Sequence, residues 1–117
     1  MRDTVEQPGR LSIHRTAAAG LRVLVLSGEI DAANVDALAR ALRVDGGGPV
    51  KSVVDFGAVT FIDSSAISVL ATAHRDARAA GGWVRLAALS TPVRRVVELV
   101  GLDTVIDCYP TLAAASV

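Results

Sequence analysis

An α/β fold built on one mixed sheet is predicted by three observations. Apolar runs that suit strands alternate with runs spaced at helical period, in the order β-β-α-β-α-β-α followed by a short β-α tail. The run Val23-Leu24-Val25-Leu26 is apolar on both faces, as a strand covered on both sides requires. Each main helical pattern stops at glycine, at Gly46-Gly47-Gly48, Gly81-Gly82 and Gly101. Such alternation calls for right-handed crossovers between parallel strands, with only the first strand antiparallel. The expected sheet has four to five strands packed with about four helices. At 117 residues the chain suffices for one domain and is too short for two ordinary ones. That domain is placed at residues 10–117, behind a flexible polar tail, residues 1–9, that carries Pro8 and Gly9.

Leu11, Ile13 and Arg15 alternate with Ser12 and His14, and the small residues Ala17 to Gly20 turn the chain into a second strand, Leu21 to Ser27, which Gly28 ends. Val35, Leu38 and Leu42 then share a helical face opposite Asp36, Arg40 and Arg43, with Asp31 or Asn34 as the N-cap. The glycine run after this helix lacks the Lys-Ser/Thr of a P-loop and precedes a strand, so it reads as a connector. Val53 to Phe56 is the next strand, and Gly57 to Phe61 bulges or turns before Asp63. Ala66, Leu70, Ala73, Ala77 and Ala80 form the core stripe of a second helix whose small side chains permit close packing on the sheet. Trp83 to Ala88 is a strand. A helix capped by Ser90 or Thr91, with Pro92 in its first turn, buries Val93, Val96, Val97 and Val100. Val105-Ile106 adds a short strand and Leu112 to Ala115 a terminal helix. With strands in chain order, the loops after Leu26, Phe56 and Leu86 gather at one carboxyl edge, where open α/β sheets place their sites. That brings Gly28 to Asp31 and Asp63 to Ser65 onto one surface.

Composition excludes several classes of function. Twelve basic residues balance twelve acidic ones and only four residues are aromatic, so neither the charge nor the stacking platform of a nucleic-acid binder is present. The segment MRDTVEQPGR is not a signal peptide, and no apolar run approaches the ~20 residues that span a bilayer, so a cytoplasmic location without membrane insertion is expected. The single Cys108 has no internal disulfide partner and reads as a small core or near-surface residue.

Asp63-Ser64-Ser65 carries the chemistry. It follows a strand and opens a helix, where free N–H groups and the positive end of the helix dipole stabilise an added anion. Ser64 therefore suits phosphorylation, although Asp63 or Ser64 as a plain N-cap explains either residue. A hydrolase built on Ser64 with His14 or His74 as base is disfavoured. There is no G-x-S-x-G elbow, and His74 lies roughly 15 Å along the helix from Ser64. Metal binding by Asp31, Asp55 and Asp63 lacks any His or Cys pair at ligand spacing. No catalytic residue, metal or cofactor is assigned.

Four stretches, Gly28-Glu29-Ile30-Asp31, Val53-Val54-Asp55-Phe56, Val59-Thr60-Phe61-Ile62-Asp63-Ser64-Ser65 and Val93 to Asp103, together resemble the STAS-domain anti-sigma factor antagonists. The resemblance runs from about Leu11 to Asp107. It implies a STAS domain whose unphosphorylated form binds an anti-sigma factor that is itself a serine kinase and so frees the sigma factor. Phosphorylation of Ser64, with Ser65 second, would end that binding until a PP2C-type phosphatase restores it. Gly28, Glu29, Asp31, Asp63, Ser64, Ser65 and Ala66 would form the partner surface, with Ala66 standing where the family usually has glycine. The protein itself would be no enzyme. A second reading is an unphosphorylated STAS adaptor subunit of a lipid transport complex.

Overall fold

Strands lie in strict chain order across one sheet in the computed structural model, which describes residues 2–6, 9–44 and 48–117. They are β1 (Arg2–Glu6), β2 (Leu11–Ala18), β3 (Leu21–Ile30), β4 (Lys51–Ile62), β5 (Trp83–Ala87) and β6 (Cys108–Tyr109). The pairs β1·β2 and β2·β3 are antiparallel and the pairs from β3 to β6 are parallel. Helices α1 (Val35–Ala41), α2 (Ser64–Ala79), α3 (Thr91–Leu99) and α4 (Leu112–Ala115) connect or follow them, with a 3-10 turn at Leu102–Thr104. This is the α/β fold expected from the alternation.

Side-chain alternation along the strands divides the packing into two layers. Leu24, Leu26, Val54, Phe56, Val84 and Leu86 are fully buried or nearly so, in one cluster with Leu38 of α1 and Leu42 just past its end, Leu70 and Ala73 of α2 and Val93 and Val97 of α3. The opposite face carries Val53 and Ala87, which pack with Ala115, Leu112, Trp83 and Tyr109. Arg85 lies over the Trp83 ring, 3.8 Å from its centroid, and donates to the Ala115 and Val117 carbonyls, tying the chain end to β5. Three helices thus share one face and the short α4 serves the other. With Phe56 its one fully buried ring, the core relies mainly on aliphatic burial, about 1.5–3 kcal/mol for each large side chain removed from water.

Several expectations need correction. Arg2–Glu6, expected within the flexible tail, forms β1, so the sheet has six strands among the described residues. Extended backbone can complete a ladder against an open edge whatever its side chains, which is why composition did not reveal it. Gly28 does not end its strand, since β3 continues to Ile30. The segment Gly57 to Phe61 belongs to one long β4 and does bulge: Val25 faces Asp55 whereas Glu29 faces Phe61, so four steps along β3 match six along β4. Asp31 is not the cap of α1; Asn34 holds that position, and its side chain turns back into the preceding loop instead of capping. Ser90 precedes α3, but its hydroxyl donates to the Val59 carbonyl at 2.6 Å and does not cap the helix. Ala80 is only half-buried and Val100 is exposed, so each falls outside the stripe assigned to it. The last strand is Cys108–Tyr109, not Val105-Ile106, because the 3-10 turn uses Ile106 as a buried anchor. Cys108 itself is exposed, with burial the first cause and Asp103 and Asp107 the next in holding its thiol above the usual range. Pro8 and the Gly46-Gly47 part of the connector lie outside the described residues.

Candidate functional site

Two loops at the carboxyl edge of β3 and β4 meet through one carboxylate. The first loop follows the last residues of β3, where Gly28 has a φ of +99°, a region that L side chains rarely adopt. A Cβ at this position would stand 1.9 Å from the Arg10 carbonyl oxygen. That carbonyl accepts from the Glu29 N–H at 3.1 Å, so the glycine lets the backbone entering β2 close onto the loop. The Arg10 guanidinium then sits 3.6 Å from Glu29 and 3.8 Å from Asp31. These pairs are exposed and contribute orientation more than stability.

Asn34, buried although polar, fixes the rest of the loop: its Oδ1 accepts from the Asp31 N–H and its Nδ2 donates to the Glu29 carbonyl, each at 3.0 Å. Asp31 closes a local turn by accepting from the Ala33 N–H at 3.0 Å. From β4, the Thr60 hydroxyl donates to the Gly28 carbonyl at 3.3 Å.

Asp63 joins this loop to α2. Its N–H donates to the Ile30 carbonyl at 3.2 Å, and its Oδ2 accepts from the Ala32 N–H at 3.1 Å. Its Oδ1 caps the helix, accepting from the Ser65 N–H at 2.9 Å and the Ala66 N–H at 3.3 Å, and also accepts the Ser65 hydroxyl. Of the two N-cap alternatives for α2, the structure therefore selects Asp63. The Ser65 hydroxyl is the main reason its carboxyl titrates below the usual range; burial opposes this, and the Ala66, Ser65 and Ala32 N–H groups reinforce it.

A group whose folded pKa is depressed contributes stability above its unfolded pKa and loses it as pH falls through the folded value. Asp63→Ala is accordingly expected to cost about 1–2 kcal/mol at neutral pH, the range for a lost N-cap. Urea melts from pH 7 downward should show that difference shrinking once the pH passes below the ordinary carboxyl value of 3.8.

Ser64 is the first residue of α2 and is exposed, and its hydroxyl engages no partner among the described residues. Ser65 is half-buried and committed to Asp63. Asp63 already occupies the Ser65 and Ala66 donors of the first turn, so an anion added to Ser64 finds them taken and must face outward. Ala66 is fully buried in the core, where its Cβ packs beneath the site and not on the expected partner surface. The structure brings Gly28, Glu29, Asp31, Asp63, Ser64 and Ser65 together as the sequence suggested. Arg10, Thr60 and the clamping role of Asn34 were missed: Arg10 and Thr60 reach the loop only through the pairing of β2 and β4 with β3, and Asn34 by turning its amide onto Glu29 and Asp31.

The two histidines stand apart from Ser64. His14 is exposed on β2, and His74 Nδ1 accepts from the Val84 N–H at 3.2 Å, ten residues further along α2. Among the described residues no three His, Cys, Asp or Glu side chains group as metal ligands, and no helix is long and apolar enough to cross a membrane.

The STAS domain model matches residues 12–115. The chain is 31% identical to an anti-sigma factor antagonist from Mycobacterium paratuberculosis, with 90% of each chain covered and a TM-score of 0.79. It also superposes on the Bacillus cell fate determinant SpoIIAA in its phosphorylated form, at 21% identity and TM-score 0.61, covering 97% of this chain and 96% of that one. A murine anion transporter of the solute carrier 26 family matches at 16% identity and TM-score 0.70, covering 86% of this chain and 18% of the transporter. No curated protein sequence matches. The family model spans the sheet from β2 to β6 and both site loops, and the chain therefore belongs to the STAS domain family.

Proposed function

We propose that the chain is a cytoplasmic anti-sigma factor antagonist that supplies no catalytic group of its own. Its unphosphorylated form binds a serine-kinase anti-sigma factor and releases the sigma factor. Transfer of a phosphoryl group to Ser64 ends binding, and a PP2C-type phosphatase reverses it. The observation that carries this reading is the likeness to the Mycobacterium paratuberculosis antagonist, which covers 90% of this chain at 31% identity. The contrast between the two serines supports the switch: Ser64 offers an exposed, unengaged hydroxyl, whereas that of Ser65 is held by Asp63.

The test is incubation with each serine-kinase anti-sigma factor of the source organism and ATP, followed by phosphosite mapping by mass spectrometry. Phosphate is expected on Ser64 and not on Ser65. A protein left unmodified by every kinase would lose the switch and favour the adaptor reading, in which the same scaffold docks onto a transporter component.

A further inference from the structure

Beside the site lies an open groove of about 540 Å³ between α1 and α2 that the switch does not use. Its apolar lining comes from Ala39, Leu42, Val44, Val69 and Ala73, of which Leu42 and Ala73 are buried. The groove is preformed. Arg22 on β3 donates to the Leu42 and Arg43 carbonyls at 3.0 and 2.8 Å and to the Ser52 hydroxyl at 2.9 Å, pinning the end of α1 to the sheet.

Its upper wall continues the switch. Ser64, Ser68, Thr72 and Asp76 recur at four-residue spacing, so they form one exposed stripe that descends α2 by roughly 6 Å per step. The hydroxyls of Ser68 and Thr72 have no partner among the described residues, and the Arg43 guanidinium on the facing rim has none either.

A specific protein interface buries about 800 Å² on each side, drawn from roughly 20–30 residues. The handful of residues around Ser64 falls well short of that. Resting on the proposed function, we infer that the α1–α2 groove is the second half of the anti-sigma factor interface. The occupant is a partner helix that lays an aliphatic side chain on the Leu42, Val69 and Ala73 floor and turns a carboxylate to Arg43. Helix-in-groove docking uses such an apolar floor, and Arg43 at its rim suits an acidic side chain. Continuity along α2 lets one partner read both Ser64 and the groove.

Calorimetric titration of the unmodified protein against the anti-sigma factor that phosphorylates it tests this, with Thr72→Arg to fill the groove and Arg43→Glu to reverse its charge. Both positions are exposed, Thr72→Arg favours helix, Arg43 lies beyond the end of α1, and melting curves confirm the fold. Each variant is expected to weaken binding at least ~10-fold, a difference of about 1.4 kcal/mol, with Ser64 still unmodified. Wild-type affinity in both, alongside loss of binding by Ser64→Asp, overturns the groove and leaves the switch standing. No binding by the unmodified protein overturns both.

Discussion

Ser64→Asp is expected to weaken binding to the serine-kinase anti-sigma factor by two orders of magnitude or more, while Ser64→Ala binds within a few-fold of the wild type. Isothermal calorimetry on the three proteins checks it. The asymmetry follows from where Ser64 stands. On the protein's own side an anion at the first helical residue is tolerated by the dipole, so the fold survives. Because Asp63 already takes the Ser65 and Ala66 donors of the first turn, the new charge is left largely to the partner. A like charge or an unpaired anion desolvated in an interface costs several kcal/mol, and each 1.4 kcal/mol is a factor of ten in affinity. Equal affinities for Ser64→Asp and Ser64→Ala would rule out a charge-based switch at this residue.

Gly28→Ala is expected to lower stability by about 3 kcal/mol, the largest effect of any single methyl added to the site loops. Two penalties combine: about 1–2 kcal/mol for an L side chain at positive φ, and about 1–3 kcal/mol for overpacking. The obstacle is the Arg10 carbonyl at 1.9 Å, a backbone atom held by the Glu29 N–H, so it cannot swing aside as a flexible side chain would. In thermal unfolding this corresponds to a fall in Tm of roughly 10 °C or more for a domain of this size. A variant that melts with the wild type would mean that the β2 entry is free to move. It would then no longer position Arg10 beside Glu29 and Asp31.

Much of this architecture was legible in the sequence for local reasons. Helical spacing of Leu38 and Leu42, the alanine stripe of α2 and the glycines Gly81 and Gly101 that stop α2 and α3 depend on near neighbours alone, whereas α1 ends at Ala41, ahead of its expected glycine stop. The order of elements then dictated a largely parallel sheet with its site loops on one edge. What local reading missed depends on partners distant in sequence or on which of several nearby backbone groups a side chain bonds. Arg2–Glu6 has no apolar alternation, and only the open edge of β2 makes it a strand. Asp31 had the composition of a cap but lies where its carboxylate closes its own turn, and Asn34 serves the loop instead of the helix.

The switch motif divides in the same way. Sequence alone determined the fold class, the placement of Asp63-Ser64-Ser65 at a strand-to-helix junction and the resemblance of its flanks to STAS domains. It left Asp63 and Ser64 as rival caps, ranked the two serines without a structural reason, and gave Ala66 two places, in the core stripe of α2 by its spacing and on the partner surface by the family resemblance. Only the tertiary structure chose Asp63 as the cap, tied Ser65 to it, left Ser64 exposed and buried Ala66. The physical reason is that hydrogen-bond allocation at a helix start depends on which loop docks against it. Here the bulged register of β3 against β4 brings the Ala32 N–H to the second oxygen of Asp63.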